Sequence, residues 1–243
     1  MRWAAGIVIS AVVAVLLTGC RDGLSFSPQP AGTGAAPLTR SFVPAKMSFW
    51  SPTWGVAANR SGRLVAVTSN GGRTWTAARS KKVRARLVPR RSRMASPCGG
   101  AFLNTFLSSP TPERAWVVCT GEPGAGSVAV AVFTTDDSGA SWMRLPTGRL
   151  GGFGYPSGLS MTASGVGILT ENRGVTYATS DGGRDWRPLR SITAPDTREG
   201  IAATQVTPTM AFVLVFSGDT GTTLYRSTDG DRHWTVVRRW PPR

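Results

Sequence analysis

The chain has 243 residues, a formal net charge of +15, a pI of about 11.4, and 25 Arg against 3 Lys. One His and three Cys, with no C-x-x-C, exclude the usual Cys/His zinc frameworks, and no metal or cofactor is expected. So much positive charge predicts polyanionic partners: anionic lipid headgroups, acidic envelope polymers or acidic proteins.

In chain order, Met1-Arg2-Trp3 is a short positive start, and residues 4–17 run without a charge into Leu17-Thr18-Gly19-Cys20. That is the layout of an export signal: n-region, apolar h-region and small-residue cleavage site. The uncharged run is 14 residues, short of the roughly 20 that a spanning helix needs. Leu-Thr-Gly-Cys resembles the lipobox of bacterial lipoproteins. The resemblance implies cleavage before Cys20 and lipid on its thiol and new amino group, leaving the protein exported and anchored to the outer face of a bacterial membrane. An ordinary secretory signal is the alternative. Assigning Cys20 to lipid leaves Cys98 and Cys119 as a candidate disulfide, permitted in an oxidising compartment; two unpaired thiols are the other reading.

Residues 1–19 are therefore read as the signal and 20–45 as the lipidated Cys with a tether rich in Ser, Pro, Gly and Ala, too poor in apolar side chains to offset the entropy of ordering. From 46 to 243 the sequence changes to short apolar runs with period-2 alternation, cut by Gly, Pro, Asn and Asp, the pattern of an all-β protein. Strands are expected at 47–50, 54–58, 64–67 and 74–77; at 102–107, 115–118, 128–133 and 141–143; at 158–161, 166–169, 175–178 and 185–187; and at 201–204, 211–216, 223–225 and 233–237.

Each set ends in one octet: Thr68-Ser-Asn-Gly-Gly-Arg-Thr-Trp75, Thr135-Asp-Asp-Ser-Gly-Ala-Ser-Trp142, Thr179-Ser-Asp-Gly-Gly-Arg-Asp-Trp186 and Ser227-Thr-Asp-Gly-Asp-Arg-His-Trp234. The Trp residues are 67, 44 and 48 positions apart. The last two intervals match the about 40–50 residues of a four-stranded propeller blade, so the expected fold is a β-propeller with four recognisable blades. Closure has several solutions: a cryptic fifth blade in residues 76–100, an N-terminal strand at 41–43 completing the last blade, or dimerisation. A single closed ring is the preferred one.

The octets are similar to Asp-box, or BNR, repeats (Ser/Thr-x-Asp-x-Gly-x-Thr-Trp), which recur in bacterial sialidases, sortilin-type receptors and photosystem II assembly-factor-like propellers. The resemblance implies that Asn70, Gly72 and Trp75, Asp137, Gly139 and Trp142, Asp181, Gly183 and Trp186, and Asp229 and Trp234 are structural. They would form the hairpin between the third and fourth strands of each blade, away from any central pocket. Local chemistry agrees. Asp or Asn bonds nearby backbone N–H groups, Gly supplies positive φ, and Trp buries a large ring while its N–H finds a partner. Asn70 replaces the acid in the first octet and Asp231 the Gly in the fourth. His233 reads as a solvated turn residue.

A sialidase-like hydrolase would need an arginine cluster, a Tyr activated by Glu and a further acid. Glycoside hydrolysis in general asks for paired carboxylates or such a variant. Outside the octets the mature acids are Asp22, Glu113, Glu122, Glu171, Asp196, Glu199 and Asp219, and the tyrosines are Tyr155, Tyr177 and Tyr225. Arg144-Leu-Pro146 matches the letters of the sialidase Arg-Ile/Leu-Pro motif but follows Trp142 on an expected outer strand. No catalytic residue is assigned.

The basic run 79–93 stands out: Arg79, Lys81, Lys82, Arg84, Arg86, Arg90, Arg91 and Arg93 put eight cations in fifteen residues. It falls in the one stretched Trp-to-Trp interval, as an insertion between blades, and is a candidate polyanion or partner site. A solvated, charge-bearing loop is the alternative. The expected function is a non-enzymatic, membrane-tethered propeller that binds or scaffolds an envelope protein or polyanion. A carbohydrate-active protein is the second reading. Nucleic acid is electrostatically possible, but an outward-facing lipoprotein would rarely meet it.

Overall fold

Short runs of Val, Thr, Ala and aromatic residues, each ended by a Gly- or Pro-bearing turn, form strands throughout the computed structural model. It describes residues 42–78, 96–100, 102–124, 127–147, 154–172, 176–189, 200–217 and 221–242, with Leu38, Leu150 and Ile192. The first sheet is β1 (Lys46–Phe49), β2 (Gly55–Ala58), β3 (Val65–Thr68) and β4 (Thr76–Ala77). The second is β5 (Asn104–Ser108), β6 (Ala115–Gly124), β7 (Ser127–Thr135) and β8 (Met143–Leu145). The third is β9 (Tyr155–Met161), β10 (Gly167–Asn172), β11 (Thr176–Thr179) and β12 (Arg187–Pro188), and the fourth β13 (Gly200–Gln205), β14 (Ala211–Ser217), β15 (Gly221–Ser227) and β16 (Thr235–Trp240). Each sheet is an antiparallel meander in chain order.

All sixteen expected strands are found, with shifted bounds. The outer strands begin one residue after the octet Trp, because that Trp belongs to the turn. The strand that begins at Ala115 runs on to Gly124, with a register shift between Thr120 and Pro123. Of the N-terminal strand expected at 41–43, residue 41 lies outside the described residues. The fourth sheet is complete with its own four strands, and residues 42–44 lie outside any strand. Phe42 nevertheless buries its ring among residues of the first and fourth sheets.

Alternation puts apolar side chains on both faces of the middle strands, so each sheet can pack on two sides. Contacts join β5 to β9, β9 and β10 to β13, and β13 and β14 to β1. Three apolar clusters fill these junctions. Trp116, Val118, Val132 and Leu145 meet Leu169, Tyr177 and Trp186 between the second and third sheets. Ile168, Ala178 and Leu189 meet Ile201, Val213 and Val215 between the third and fourth. Phe49, Ala57, Ala66 and Trp75 meet Phe212, Leu214 and Leu224 between the fourth and first. There Phe49 and Phe212 stack face to face with centroids 3.7 Å apart.

The junctions thus run second, third, fourth, first. No contact of that extent joins the first sheet to the second among the described residues. The outward face of the first sheet keeps its own cluster of Val56, Ala58 and Val65. The matching face of the second sheet holds Val117, Cys119 and Ala131, against which Cys98, Phe102 and Trp142 pack. Cys98 and Cys119 form a disulfide across a sequence separation of 21. A closed loop of that length contributes on the order of 3 kcal/mol by restricting the unfolded chain.

Candidate functional site

The four octets fold alike because each uses its side chains to satisfy its own backbone. The hydroxyl that opens the octet accepts the amide N–H four residues on: Gly72 to Thr68 Oγ1 at 2.9 Å, Gly139 to Thr135 at 3.0 Å, Gly183 to Thr179 at 2.9 Å and Asp231 to Ser227 at 3.0 Å. The same hydroxyl donates to the Asp or Asn two residues on, at 2.6–3.0 Å. That Oδ1 in turn accepts the N–H of Thr74, Ser141, Asp185 and His233. Two successive residues then take positive φ, as primed turns require: Gly71 and Gly72, Ser138 and Gly139, Gly182 and Gly183, and Gly230 and Asp231.

These bonds fix the charge state of the acids. The Ser141 hydroxyl and amide, then Thr135, hold Asp137 well below the usual carboxylate range. The His233 amide and ring do the same for Asp229. Burial works against Asp181, but the Asp185 amide, the Thr179 hydroxyl and the Arg184 amide outweigh it and lower its pKa. The carboxylates are committed as acceptors inside their hairpins. His233 is exposed, with Nδ1 2.6 Å from Asp229 Oδ2, the solvated turn position expected. Trp75 and Trp186 donate their indole N–H to Gly72 and Gly183 carbonyls at 2.9 and 3.1 Å. Trp142 packs in the second sheet's own cluster. In the fourth octet, Trp234 Nε1 is buried without a partner.

The inner strands β1, β5, β9 and β13 read Lys-Met-Ser-Phe, Asn-Thr-Phe-Leu-Ser, Tyr-Pro-Ser-Gly-Leu-Ser-Met and Gly-Ile-Ala-Ala-Thr-Gln. They carry hydroxyl, amide and apolar groups, one Lys and one Tyr. Ser108 Oγ accepts the Met161 amide at 2.9 Å and Ser160 Oγ the Gln205 amide at 2.9 Å, so these hydroxyls stitch neighbouring inner strands together. Arg144 lies exposed on the outer strand β8, where the chain order put it.

Two buried acids lie outside that inner surface, and sequence reading missed the peculiarity of both. Glu171, at the end of β10, is 1% exposed, and neither carboxylate oxygen has a hydrogen-bond partner. Burial pushes its pKa up from 4.5 to about 7. Gly154 closes over it so tightly that an added Cβ would sit 2.5 Å from Oε2. Burial, then the Glu171 charge, raises the pKa of neighbouring Tyr177. Asp231 takes the left-handed position of the fourth octet at φ 64° and is 3% exposed. Burial raises its pKa to about 6 against the opposing charge of Arg187. Only the departure of Asp231 from the octet pattern hinted at this in the sequence.

Cys20 and the basic residues Arg79, Lys81, Lys82, Arg84, Arg86, Arg90, Arg91 and Arg93 lie outside the described residues, as does most of the 1–45 leader and tether. The flanks of the basic run are described. Ala78 N donates to Val65 O at 2.7 Å, at the end of the first sheet where β1 begins and the β2–β3 hairpin turns. Exposed Lys46, Arg60 and Arg63 stand at that same end. On the return side, Cys98 is pinned to Cys119. Between Gly23 and Pro112 the sequence has no acidic residue at all.

Four four-stranded meanders packed through their inner strands, each closed by a β-turn octet before its outer strand, define a β-propeller. No protein-family model matches the chain, and no curated protein matches it. Among solved structures it is similar to YCF48 bound to a D1 peptide, at 20% identity and a TM-score of 0.37, covering 84% of this chain and 57% of that one. It is also similar to YCF48 from Cyanidioschyzon merolae, at 17% identity and 0.38 over 86% of this chain and 61% of that one. A fucose-specific lectin from Aleuria aurantia gives 14% and 0.40 over 86% and 67%. The chain thus spans less than two thirds of the length of the YCF48 structures.

Proposed function

We propose that this protein is a non-enzymatic propeller of the Asp-box type, tethered to a membrane through lipid on Cys20, that binds an envelope protein or acidic polymer at the basic end of its first blade. The observation that carries this reading is the charge distribution. The first blade and both its flanks lack acids, Lys46, Arg60 and Arg63 are exposed at one end, and the run 79–93 leaves from that end. Loops displayed at one end of a rigid sheet scaffold are a common place for recognition, and a dense cationic surface steers anionic partners.

One observation favours a glycan hydrolase: Glu171 lies beside Tyr177, the pair such chemistry uses. Both are buried, Tyr177 in the junction with the second blade and Glu171 under Gly154, on β10 and β11 rather than β9, and the inner strands supply no arginine to hold a substrate carboxylate. The binding reading is therefore preferred.

The test is affinity capture from envelope extracts with the full chain and with a variant carrying Gln at Arg79, Lys81, Lys82, Arg84, Arg86, Arg90, Arg91 and Arg93. Partners enriched by the wild type should be lost from the variant and should elute from the wild type as salt rises. Equal recovery by both proteins refutes the proposal.

A further inference from the structure

Each described junction between blades sends an arginine from one blade to the hairpin end of the next, and two of the three give it an acid. Between the second and third blades, Arg114 donates to the Ala163 carbonyl at 2.8 Å and pairs with Asp136. Between the third and fourth, Arg187 donates to the Gly230 carbonyl at 3.0 Å, and its charge acts on buried Asp231.

Between the fourth and first blades the arrangement differs. Arg226 on β15 and Arg238 on β16 both flank Leu224, since Arg226 follows it by two residues and Arg238 is its partner in register. Leu224 packs into the junction with the first blade, so both arginines lie on that face. Arg238 Nη1 donates to the Arg73 carbonyl at 2.7 Å, and Arg226 Nη1 lies 3.7 Å from where a Cβ on Gly71 would be. Arg73 itself reaches back to the Asn70 carbonyl at 3.5 Å. Three guanidinium groups therefore gather around one turn of chain, residues 70–73.

No carboxylate answers them. This octet alone carries Asn in place of the acid, and Asn70 is spent on Thr68 and Thr74. Among the described residues, no acid forms an ion pair with Arg73, Arg226 or Arg238. Moreover, Nε of Arg226 and Nε of Arg238 are each shielded from solvent without a hydrogen-bond partner. Arginine stays charged at any ordinary pH and cannot relieve this by losing a proton. A buried unmade bond to a charged group is costly, and the remedy is an anion that accepts from the guanidinium edges.

We propose that the junction of the fourth and first blades binds a phosphate group through Arg73, Arg226 and Arg238. The planar forks of arginine suit phosphate oxygens, and three cations with no acid suit a multivalent anion. Arg238, with its guanidinium carbon 5.3 Å from the centre of the Trp240 ring, is held in place for this. Arg73 is exposed and the other two are half-buried, so the site opens to solvent. It lies at the octet end of the first blade, opposite the end from which residues 79–93 depart. It is therefore independent of the function proposed above.

The test is thermal unfolding of the full chain at constant ionic strength, with sodium chloride exchanged for inorganic phosphate or for glycerol phosphate. At ten times Kd, phosphate should raise the Tm of the wild type by about 3–6 °C over chloride. A response to glycerol phosphate as well identifies a site open to esters, and a response to inorganic phosphate alone identifies one for the free ion. Asn70→Asp adds a negative charge to the turn that the three guanidinium groups surround, while its Oδ1 stays bonded to Thr68 and Thr74, and it should reduce the phosphate increment. Arg226→Gln combined with Arg238→Gln should abolish it. No phosphate increment over chloride in the wild type overturns the proposal, whether or not the variants fold, and so does an equal increment in the wild type and the double arginine variant.

Discussion

Glu171→Gln isolates the cost of a buried carboxyl that finds no partner. In the folded protein, burial lifts its pKa from 4.5 to about 7, and neither oxygen is hydrogen-bonded. The folded pKa lies above the unfolded one, so the folded chain holds the proton more tightly between those two values. Stability is complete below about pH 4.5 and falls as pH rises through 7. At about 1.4 kcal/mol per tenfold change in proton affinity, the loss is on the order of 3 kcal/mol. Glutamine keeps the shape and cannot ionise. Urea unfolding at several pH values from 4.5 to 8.5 should give two stabilities that agree near pH 4.5. They should separate until the variant is more stable by about 3 kcal/mol at pH 8.5. Asp231 also titrates in this range, but it is common to both proteins and cancels from their difference. Parallel stability curves, or a variant that is less stable at pH 8.5, would refute the reasoning.

Asp231→Gly replaces a left-handed, buried, partly unsatisfied acid with the residue that the first three octets use. Ionised Asp231 is net unfavourable even beside Arg187, so its contribution is complete near pH 4 and is lost as pH rises through about 6. Equilibrium unfolding should show the variant more stable by about 1–2 kcal/mol at pH 8, with a smaller gain at pH 4; an unchanged midpoint at pH 8 counts against it. The octet Trp residues should separate by junction. Trp186→Ala opens a cavity between the second and third blades and should cost about 3–5 kcal/mol. Trp142→Ala removes a half-buried ring from a single-blade cluster and should cost about 1–2 kcal/mol. Equal losses in urea melts would mean that both rings hold blades together.

The strands and hairpins were legible because their signals are local. Period-2 alternation between glycine-rich turns marks a strand without reference to its neighbours, and an octet satisfies its hydrogen bonds within eight residues. Even the exchange of Asp for Asn70 is absorbed locally, since the amide donates to Thr74 at 2.7 Å where Asp137 accepts from Ser141 at 2.5 Å. Neither Glu171 nor the Arg226–Arg238 pair was legible in this way. What singles them out is a buried polar atom with no hydrogen bond, and partners for such atoms come from strands far away in the chain. Glu171 belongs to a run, Gly-Ile-Leu-Thr-Glu-Asn, whose last two residues read as the polar end of a strand. Gly154, thirteen or more positions from any part of that run, is what seals it.

The order of the blade junctions also changes what the long first interval means. Trp186 packs toward the second blade, Trp234 toward the third and Trp75 toward the fourth. Each octet thus places its indole against the preceding blade. By that rule Trp142 should meet the first blade; among the described residues its cluster holds Cys98, Phe102 and residues of its own sheet. The receiving face of the first blade, Val56, Ala58 and Val65, is likewise in a cluster with no second sheet in it. The one interval stretched in sequence therefore separates the two blades that share no extensive contact among the described residues. Before the interval's inserted residues Ala78 bonds Val65 of the first sheet, and after them Cys98 is tied to Cys119 of the second. The described flanks of the run, Ala78 and Cys98, thus pack one on each of the two faces that lack a neighbouring sheet.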